Sequence, residues 1–321
     1  MKNKIADYFM HSKYAYSMIV LVIVILLATL SSGSFLTGDN LMTVLRQTSV
    51  LFILSSGLTA VVLTGGIDLS VNNTAALVGC IVAQLLLLNF SIPVVIAVGL
   101  LAGLVIGIFN GMLVGILKLP PFVATYGTNM VVLGISTIVM QGAVIYNLPR
   151  NFTPIGVGYV GIIPVPVIIA FALLGLLYLL LQRTTLGRNI YMLGSNAYAA
   201  KYSAVRSVVL TIKAYAICGL TAAIGGIVMT ARLNAADANM GNSYGLQIVA
   251  AVVMGGTSLL GGEGGILGTF IGALVLTIIV NVINLVGISS YLQSLAVGLV
   301  IILMVWLDIS TRNRRKKIAR L

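Results

Sequence analysis

Two acidic residues, Asp68 and Glu263, stand within otherwise apolar sequence, and packing alone does not account for them. A carboxylate at the centre of a membrane helix costs about 2.5 to 3.5 kcal/mol on insertion scales, so its retention indicates a path for a solute or an ion. Both acids also lie beside turn-forming glycines, where a carboxylate such as Asp68 can instead cap the following helix and face water. The sequence leaves both roles open.

The segments around these acids, LTGGIDLSVNNT (63–74) and MGGTSLLGGEGG (254–265), each follow an Ala-Val-Val run and form a weak internal repeat. Paired hydrophobic segments interrupted by glycine are typical of the broken helices that line transport paths. Polar groups in neighbouring spans suit either bonds between helices or solute hydroxyls. Asn281, Asn284 and Gln293 belong to this ambiguous class. The candidate path residues are Asp68, Ser70, Asn72, Asn73, Asn110, Thr125, Asn129, Gly255, Gly256, Thr257, Ser258 and Glu263.

Glycines four residues apart mark two other stretches. They are Gly99, Gly103, Gly107, Gly111 and Gly115 in one stretch, and Gly264, Gly268 and Gly272 in the other. Positions four apart share one helix face, so each set predicts a smooth groove against which another backbone packs closely. These glycines are candidate packing residues.

The sequence contains no recognisable motif for catalysis or metal binding. The chain has no phosphate-binding loop motif and no Cys/His metal spacing, and its single histidine, His11, lies in a basic N-terminal stretch. Cys80 and Cys218 fall within apolar runs and are interpreted as small buried hydrophobes. We therefore expect this chain to have no catalytic residue, metal or cofactor of its own.

The elements that must position these residues are membrane helices. The 321 residues are 60% hydrophobic and 7% charged, with a mean hydropathy of +1.14, against roughly 25% charged residues in soluble domains. The net charge of +12 comes from residues between and beyond apolar runs, which indicates the positive-inside rule rather than nucleic-acid binding. The sequence predicts a multi-pass protein in a lipid bilayer.

Ten apolar stretches are long enough to cross a membrane or lie within a helical bundle. They are residues 15–32, 41–63, 74–89, 92–117, 121–142, 163–182, 207–230, 244–260, 264–286 and 291–308. We predict an all-α integral membrane protein with a single transmembrane domain. Its parts are a cytoplasmic tail (1–14), a bundle (15–308) with a cytoplasmic loop (183–206), and a basic cytoplasmic tail (309–321).

Charge placement predicts the orientation independently. With both termini in the cytoplasm, only Arg46, Arg150 and Arg232 of the 18 Lys and Arg residues fall near the outer side. Two outward connections, 143–162 and 231–243, are long enough to face an external partner. The inward loop carries SNAYAAKYSAV (195–205), interpreted either as a short helix capped by Ser195 or Asn196 or as a solvated linker.

Four stretches in order resemble the ribose-type branch of ABC transporter permeases. They are TGGIDLSV (64–71), NGMLVGILKLPPFVAT (110–125), LGRNIYMLGSNAYAAKYS (186–203) and AAVVMGGTSLLGGEGGILGTFIGALVL (250–276). The resemblance covers residues from about 40 to 308. It implies a bacterial plasma-membrane importer subunit for a small sugar, with a ten-helix architecture similar to the vitamin B12-type permeases.

The resemblance also implies partners. They are a second permease copy or homologue, two cytoplasmic subunits that bind ATP and magnesium, and an extracytoplasmic solute-binding protein. Residues 187–203 match the loop that couples such permeases to their ATPases. The implied coupling residues are Gly187, Arg188, Gly194, Ser195, Asn196, Ala199, Ala200 and Lys201.

The chain departs from the family pattern close to the predicted path. Asn72 and Asn73 replace the usual glycine and serine, Glu263 replaces a frequent lysine, and no arginine precedes Gly134. These changes leave the solute open, including a nucleoside. Two rival functions also stay open, namely an ion-coupled transporter using Asp68 or Glu263 and a scaffold or channel subunit without a solute site.

Overall fold

The computed structural model describes residues 15–287 and five isolated later positions, 292, 295, 298, 299 and 302. The predicted cytoplasmic tails, 1–14 and 309–321, lie outside the described residues. The predicted span 291–308 also lies outside them, apart from those isolated positions.

Helices dominate the described chain. In chain order they are α1 (Ala15–Ser31), α2 (Gly38–Leu63), α3 (Val71–Leu87), α4 (Ile92–Gly115), α5 (Pro121–Met140), α6 (Pro154–Val157), α7 (Val165–Arg183), α8 (Thr185–Ser195), α9 (Ala197–Tyr202), α10 (Ser207–Leu233), α11 (Gly245–Met254) and α12 (Ile266–Leu285), with a 3-10 turn at Asn242–Tyr244. Four two-residue strands are β1 (Ile145–Tyr146), β2 (Tyr159–Val160), β3 (Ile163–Pro164) and β4 (Ala235–Ala236).

Six of these helices, α2, α4, α5, α7, α10 and α12, are long and apolar enough to cross a membrane. Shorter apolar helices include α1 and α3. A third short apolar segment, Asn242–Met254, begins with the 3-10 turn and continues through α11. Each of the nine predicted spans before residue 288 therefore contains a helix, although some bounds differ. The protein is a multi-pass membrane protein.

The largest boundary error lies at α11, which ends at Met254 rather than at the predicted residue 260. Gly256, Gly261, Gly262 and Gly264 all adopt positive φ, a backbone conformation that glycine reaches without a steric penalty. A helix cannot continue through such a run. The predicted span from 244 to 260 is therefore a short helix followed by a glycine turn.

α2 lies at the centre of the bundle. Every residue from Thr48 to Leu63 is buried, because α3, α7, α10, α11 and α12 all contact this helix. α10 packs most extensively on α4. Along that contact the glycine ladder of α4 faces backbone: a Cβ added at Gly103 or Gly107 would clash with the carbonyl oxygens of Gly219 and Tyr215. The two helices are therefore as close as their backbones allow.

The two ends of the bundle differ. At one end, β1 pairs with β4 in antiparallel register, Ile145 opposite Ala236, so the two long connections predicted to face outward contact each other. Nearby, the Arg46 guanidinium lies over the Tyr159 ring, 4.8 Å from its centroid. We call this the strand end. The opposite end, where α2 and α8 finish and α12 begins, carries the glycine turns and is called the junction end.

Candidate functional site: a glycine junction and a polar cavity

Three segments meet at the junction end. They are the turn after α2 (64–70), the turn after α11 (255–265) and the C-terminal end of α8 (191–195). We call this assembly the glycine junction. The first two are the glycine-interrupted segments identified in the sequence, and the third lies in the predicted coupling loop.

The two turns touch through backbone. Gly262 N donates a hydrogen bond to the Leu63 carbonyl oxygen at 3.0 Å. A Cβ added at Gly261 would lie 2.7 Å from Gly65 N, which is closer than side-chain carbons are found in proteins. The weak internal repeat of the sequence therefore corresponds to two turns packed directly on each other.

The end of α8 packs on both turns. A Cβ added at Gly194 would clash with the carbonyl oxygen of Leu63, the last residue of α2 before the first turn, and with Gly262 N of the second turn. The Tyr191 hydroxyl donates to the Gly264 carbonyl oxygen at 3.0 Å, which fixes the helix beside the second turn. Any displacement of α8 must therefore be transmitted to one or both turns.

The short helix predicted in the loop is present as α9. Asn196 is its N-cap, and its side-chain oxygen accepts from Ala199 N at 3.0 Å. Of the two predicted caps, Asn196 has this role, whereas the Ser195 hydroxyl donates to the Tyr191 carbonyl oxygen within α8. Tyr198 and Tyr202 are 81% and 90% exposed, so α9 presents aromatic surface away from the bundle.

The predicted coupling residues divide into an exposed and a buried set. Arg188, Ala199 and Lys201 are exposed, whereas Gly187 and Ala200 are buried. Gly187 N donates to the Thr184 side chain, which caps α8. The exposed set is free to contact another protein, and the buried set holds the two helices in place.

Asp68 is buried within the first turn and holds a hydrogen-bonded cluster. Ser70 N and Ser70 Oγ donate to Asp68 Oδ1 at 2.9 and 2.7 Å, and Asn110 Nδ2 donates to the same oxygen at 3.3 Å. Burial raises the pKa of the Asp68 carboxyl, while these hydrogen bonds act in the opposite direction. The geometry supports a structural role for Asp68 at the start of α3.

Other predicted path residues extend the same cluster. Thr125 Oγ1 accepts from Leu69 N at 3.1 Å. Asn73 Nδ2 donates to the Asn129 carbonyl oxygen at 3.1 Å, and Asn72 donates to Asn73. Two buried acceptors, Asn110 Oδ1 and Asn129 Oδ1, have no hydrogen-bond partner within the described part of the chain.

Most of the predicted path residues in the second turn stabilise that turn through contacts of their own backbone and side chains. Ser258 N donates to the Glu263 carbonyl oxygen at 3.0 Å, and Thr257 Oγ1 accepts from Gly265 N at 3.3 Å. The Glu263 side chain is exposed. Gly255 packs against the backbone of Gly268, and Gly256 takes the positive φ that starts the turn.

Space for a solute lies elsewhere. The recess beside Asp68 and Ser70 has no room for a water molecule. A cavity of about 220 Å³ lies instead among α2, α10, α11 and α12, toward the strand end. Its lining residues are Gln47, Leu51, Arg232, Ser243, Tyr244, Gln247, Thr277, Val280 and Asn284.

None of the predicted path residues lines this cavity. Asn284 was recognised in the sequence only as a hydrogen-bonding group, and Gln47 and Gln247 were overlooked. The sequence signal that could have found these cavity residues is an uncharged amide side chain within an apolar helix. Asn110 and Asn129 show the same signal. The glycine-rich turns lie at the opposite end of these helices from the cavity.

Comparisons with known proteins agree on one family. Residues 40–305 match the family described as branched-chain amino acid transport system / permease component. The chain is 39% identical to the ribose import permease protein RbsC of Haemophilus influenzae over 91% of this chain and 92% of the relative. It is 38% identical to RbsC of Bacillus subtilis, covering 90% of each.

A further relative, the D-allose transport system permease protein AlsC of Escherichia coli, is 36% identical over 92% of this chain and 91% of its own length. No solved structure gives a significant match.

Proposed function

The chain belongs to the ribose-type permeases of this transport family, and from that premise we propose that it carries a monosaccharide into the bacterial cytoplasm as the membrane subunit of an ATP-driven importer. Its curated relatives are named for ribose and for D-allose, a pentose and a hexose. We propose a neutral monosaccharide of this size as the substrate. An ion-coupled transporter is the less favoured alternative, because Glu263 is exposed and Asp68 is bonded within its own turn.

We propose a ten-helix permease similar to the vitamin B12-type importers, with the junction end in the cytoplasm. In this orientation the exposed Arg188 and Lys201 face the cytoplasm, whereas Arg46 and Arg232 lie toward the outside, as the positive-inside rule requires. Residues 291–308 supply the tenth span in this proposal.

The proposed complex contains a second permease, two ATP-binding subunits and an extracytoplasmic binding protein. ATP and magnesium act in the ATP-binding subunits. The α9 surface around Tyr198 and Tyr202 suits a contact with an ATP-binding subunit, because large exposed aromatics are enriched at protein interfaces. The paired connections of the strand end, including the exposed Tyr146, suit the binding protein.

One observation carries the proposal: the end of α8 packs on both glycine turns. An ATP-driven movement of the loop that contains α8 and α9 would reach α2 through Leu63 and α12 through the turn after α11. Close-packed contacts of this kind transmit small displacements because they cannot be compressed. The coupling loop and the broken helices therefore act as one mechanical unit.

The polar cluster around Asp68 is proposed as the inner part of the solute path. It is closed in this structure, and it opens when the junction separates the two turns. The buried acceptors Asn110 Oδ1 and Asn129 Oδ1 lack partners in the described part of the chain, so they are available to solute hydroxyls in the open state. Thr257 and Ser258 hold the second turn in the closed state.

The proposal is tested with the complete complex, purified with its ATP-binding subunits and binding protein and reconstituted into liposomes. We expect uptake of radiolabelled D-ribose or D-allose that requires ATP, magnesium and the loaded binding protein. Arg188→Ala and Ala199→Glu should reduce uptake about tenfold or more while leaving membrane insertion normal, because they alter the ATPase-facing surface.

Sugar uptake by this chain alone, driven by a proton or sodium gradient, would overturn the importer proposal. Normal uptake by both variants would instead remove the coupling role of residues 187–203 and leave the importer class intact.

A further inference from the structure

The cavity near the strand end is lined in part by polar side chains that make no hydrogen bond to the rest of the described protein. No hydrogen bond joins the side-chain amides of Gln47, Gln247 or Asn284 to another described residue. Polar groups in a helical bundle are normally bonded to a neighbouring helix. Three amides that line one cavity and have no partner among the described residues therefore point to a ligand.

The chemistry of the lining suits a sugar. Each amide offers both donors and an acceptor, which matches vicinal hydroxyl groups that donate and accept at adjacent positions. Thr277 and Ser243 add hydroxyls. Leu51 and Val280 supply apolar surface for the C–H face of a sugar ring.

Charge narrows the choice of ligand. Among the described lining residues Arg232 is the only charged one, and its guanidinium interacts with the Tyr244 side chain. A cationic solute would meet a like charge. A zwitterionic amino acid would find an opposite charge for its carboxylate but no carboxylate for its ammonium group, so a neutral polyhydroxy compound fits best.

The cavity has the size of a single sugar. Its volume of about 220 Å³ equals the share of about seven liquid water molecules. That volume is enough for one monosaccharide ring.

The cavity and the glycine junction share their helices. α2 runs from Gln47 at the cavity to Leu63 at the junction, about 24 Å along one helix at 1.5 Å per residue. α11 carries Gln247 and ends at the second turn, and α12 begins at that turn and carries Thr277 and Asn284. Separating the two turns must therefore move helices that form the cavity.

We infer that this cavity is a monosaccharide site within the permease itself, entered from the binding-protein side and emptied when the junction moves. The inference rests on the proposed importer function and adds a specific place at which the solute is held. Hydrogen bonds to sugar hydroxyls from Gln47, Gln247 and Asn284 give the site its selectivity.

The first test measures occupancy directly. Ser243→Cys places a thiol in the lining at an exposed position, and the native Cys80 and Cys218 are buried and give little background. We expect millimolar D-ribose or D-allose to slow labelling of this cysteine by a membrane-impermeant maleimide, and L-leucine to have no effect. Thr43→Cys, exposed on α2 and outside the lining, is the matched control, and its labelling should not respond to sugar.

The second test measures transport. Gln47→Leu and Asn284→Leu keep similar volumes and remove the hydrogen bonds, so each should lower sugar uptake about fivefold, the effect of one typical hydrogen bond. ATP hydrolysis stimulated by the loaded binding protein should stay near the wild-type rate. Thr43→Val should leave uptake unchanged.

The two proposals fail in different ways. If the wild-type complex shows no ATP-dependent sugar uptake, the proposed function is wrong. If wild-type uptake is normal while sugar gives no protection and both leucine variants transport normally, the importer stands and the cavity is not its sugar site. Protection by L-leucine instead of sugar would also overturn the inference.

Discussion

Single glycines determine whether the junction can form. At Gly194 the missing Cβ leaves room for the Leu63 carbonyl oxygen and Gly262 N, and no side chain mediates this contact. The resemblance implied a coupling role for Gly194, but no pattern of neighbouring residues explained why a glycine is needed there. The reason is direct backbone packing, which is visible only when three distant segments are brought together.

We expect Gly194→Ala to break coupling. The added methyl group would force α8 away from both turns, so uptake should fall about tenfold or more, since overpacking of this kind typically costs 1–3 kcal/mol. The measurement is ATP-dependent sugar uptake in liposomes together with ATPase activity. Gly175→Ala in α7 is the matched control, because nothing lies within 4 Å of a Cβ at that position. Equal uptake by the two variants would contradict the packing argument.

Asp68 offers a second test on a single residue. Asp68→Ala leaves Ser70 N and Asn110 Nδ2 without their acceptor, so the free energy of unfolding should fall by about 1–3 kcal/mol. Asp68→Asn keeps one acceptor oxygen and should recover part of that loss. Thermal unfolding of the purified chain in detergent measures both.

A different outcome would assign Asp68 another role. If both variants unfold at the wild-type temperature and lose only transport, Asp68 contacts the solute and its bonds to Ser70 and Asn110 are incidental.

At the scale of elements, hydropathy located the long helices well because lipid demands a continuous apolar helix. It missed α8, an eleven-residue helix with a polar face that lies outside the apolar spans. It also placed residues 255–260 in a helix, because apolar composition does not reveal that Gly256 adopts positive φ.

The sequence analysis missed the cavity because its lining residues are distant in sequence. Gln47 and Asn284 are 237 residues apart, and only the packing of α2 beside α12 brings them together.

The glycine ladder of α4 gives a prediction about a pair of helices. Gly107→Ala places a methyl group against the Tyr215 carbonyl oxygen of α10, so the two helices must separate. We expect a loss of stability of about 1–3 kcal/mol, seen as a lower unfolding temperature in detergent. Gly134→Ala in α5 adds the same methyl group where nothing lies within 4 Å. This control should be neutral or slightly stabilising, because alanine favours a helix by up to about 1 kcal/mol over glycine. If Gly134→Ala lowers the unfolding temperature and Gly107→Ala does not, the close packing of α4 on α10 at Gly107 does not stabilise the protein.

At the scale of the whole molecule, the direction of transport depends on which end faces the cytoplasm. The proposed orientation places the glycine junction where ATP-binding subunits can reach it and opens the cavity toward the binding protein. Lys118 is exposed at the junction end, and Tyr146 is 65% exposed at the strand end. Single cysteines at these two positions therefore report the two sides of the membrane.

We expect Tyr146→Cys to react with a membrane-impermeant maleimide in intact cells and Lys118→Cys to react only after the membrane is permeabilised. The physical reason is the cost of moving Lys and Arg across the membrane during insertion, which retains the basic segments inside. Cys80 and Cys218 are buried, so the untouched protein serves as the unlabelled control. The reverse labelling pattern would place the junction outside the cell, beyond the reach of ATP. In that case neither the coupling loop nor the cavity could act in import, and both proposals would fall together.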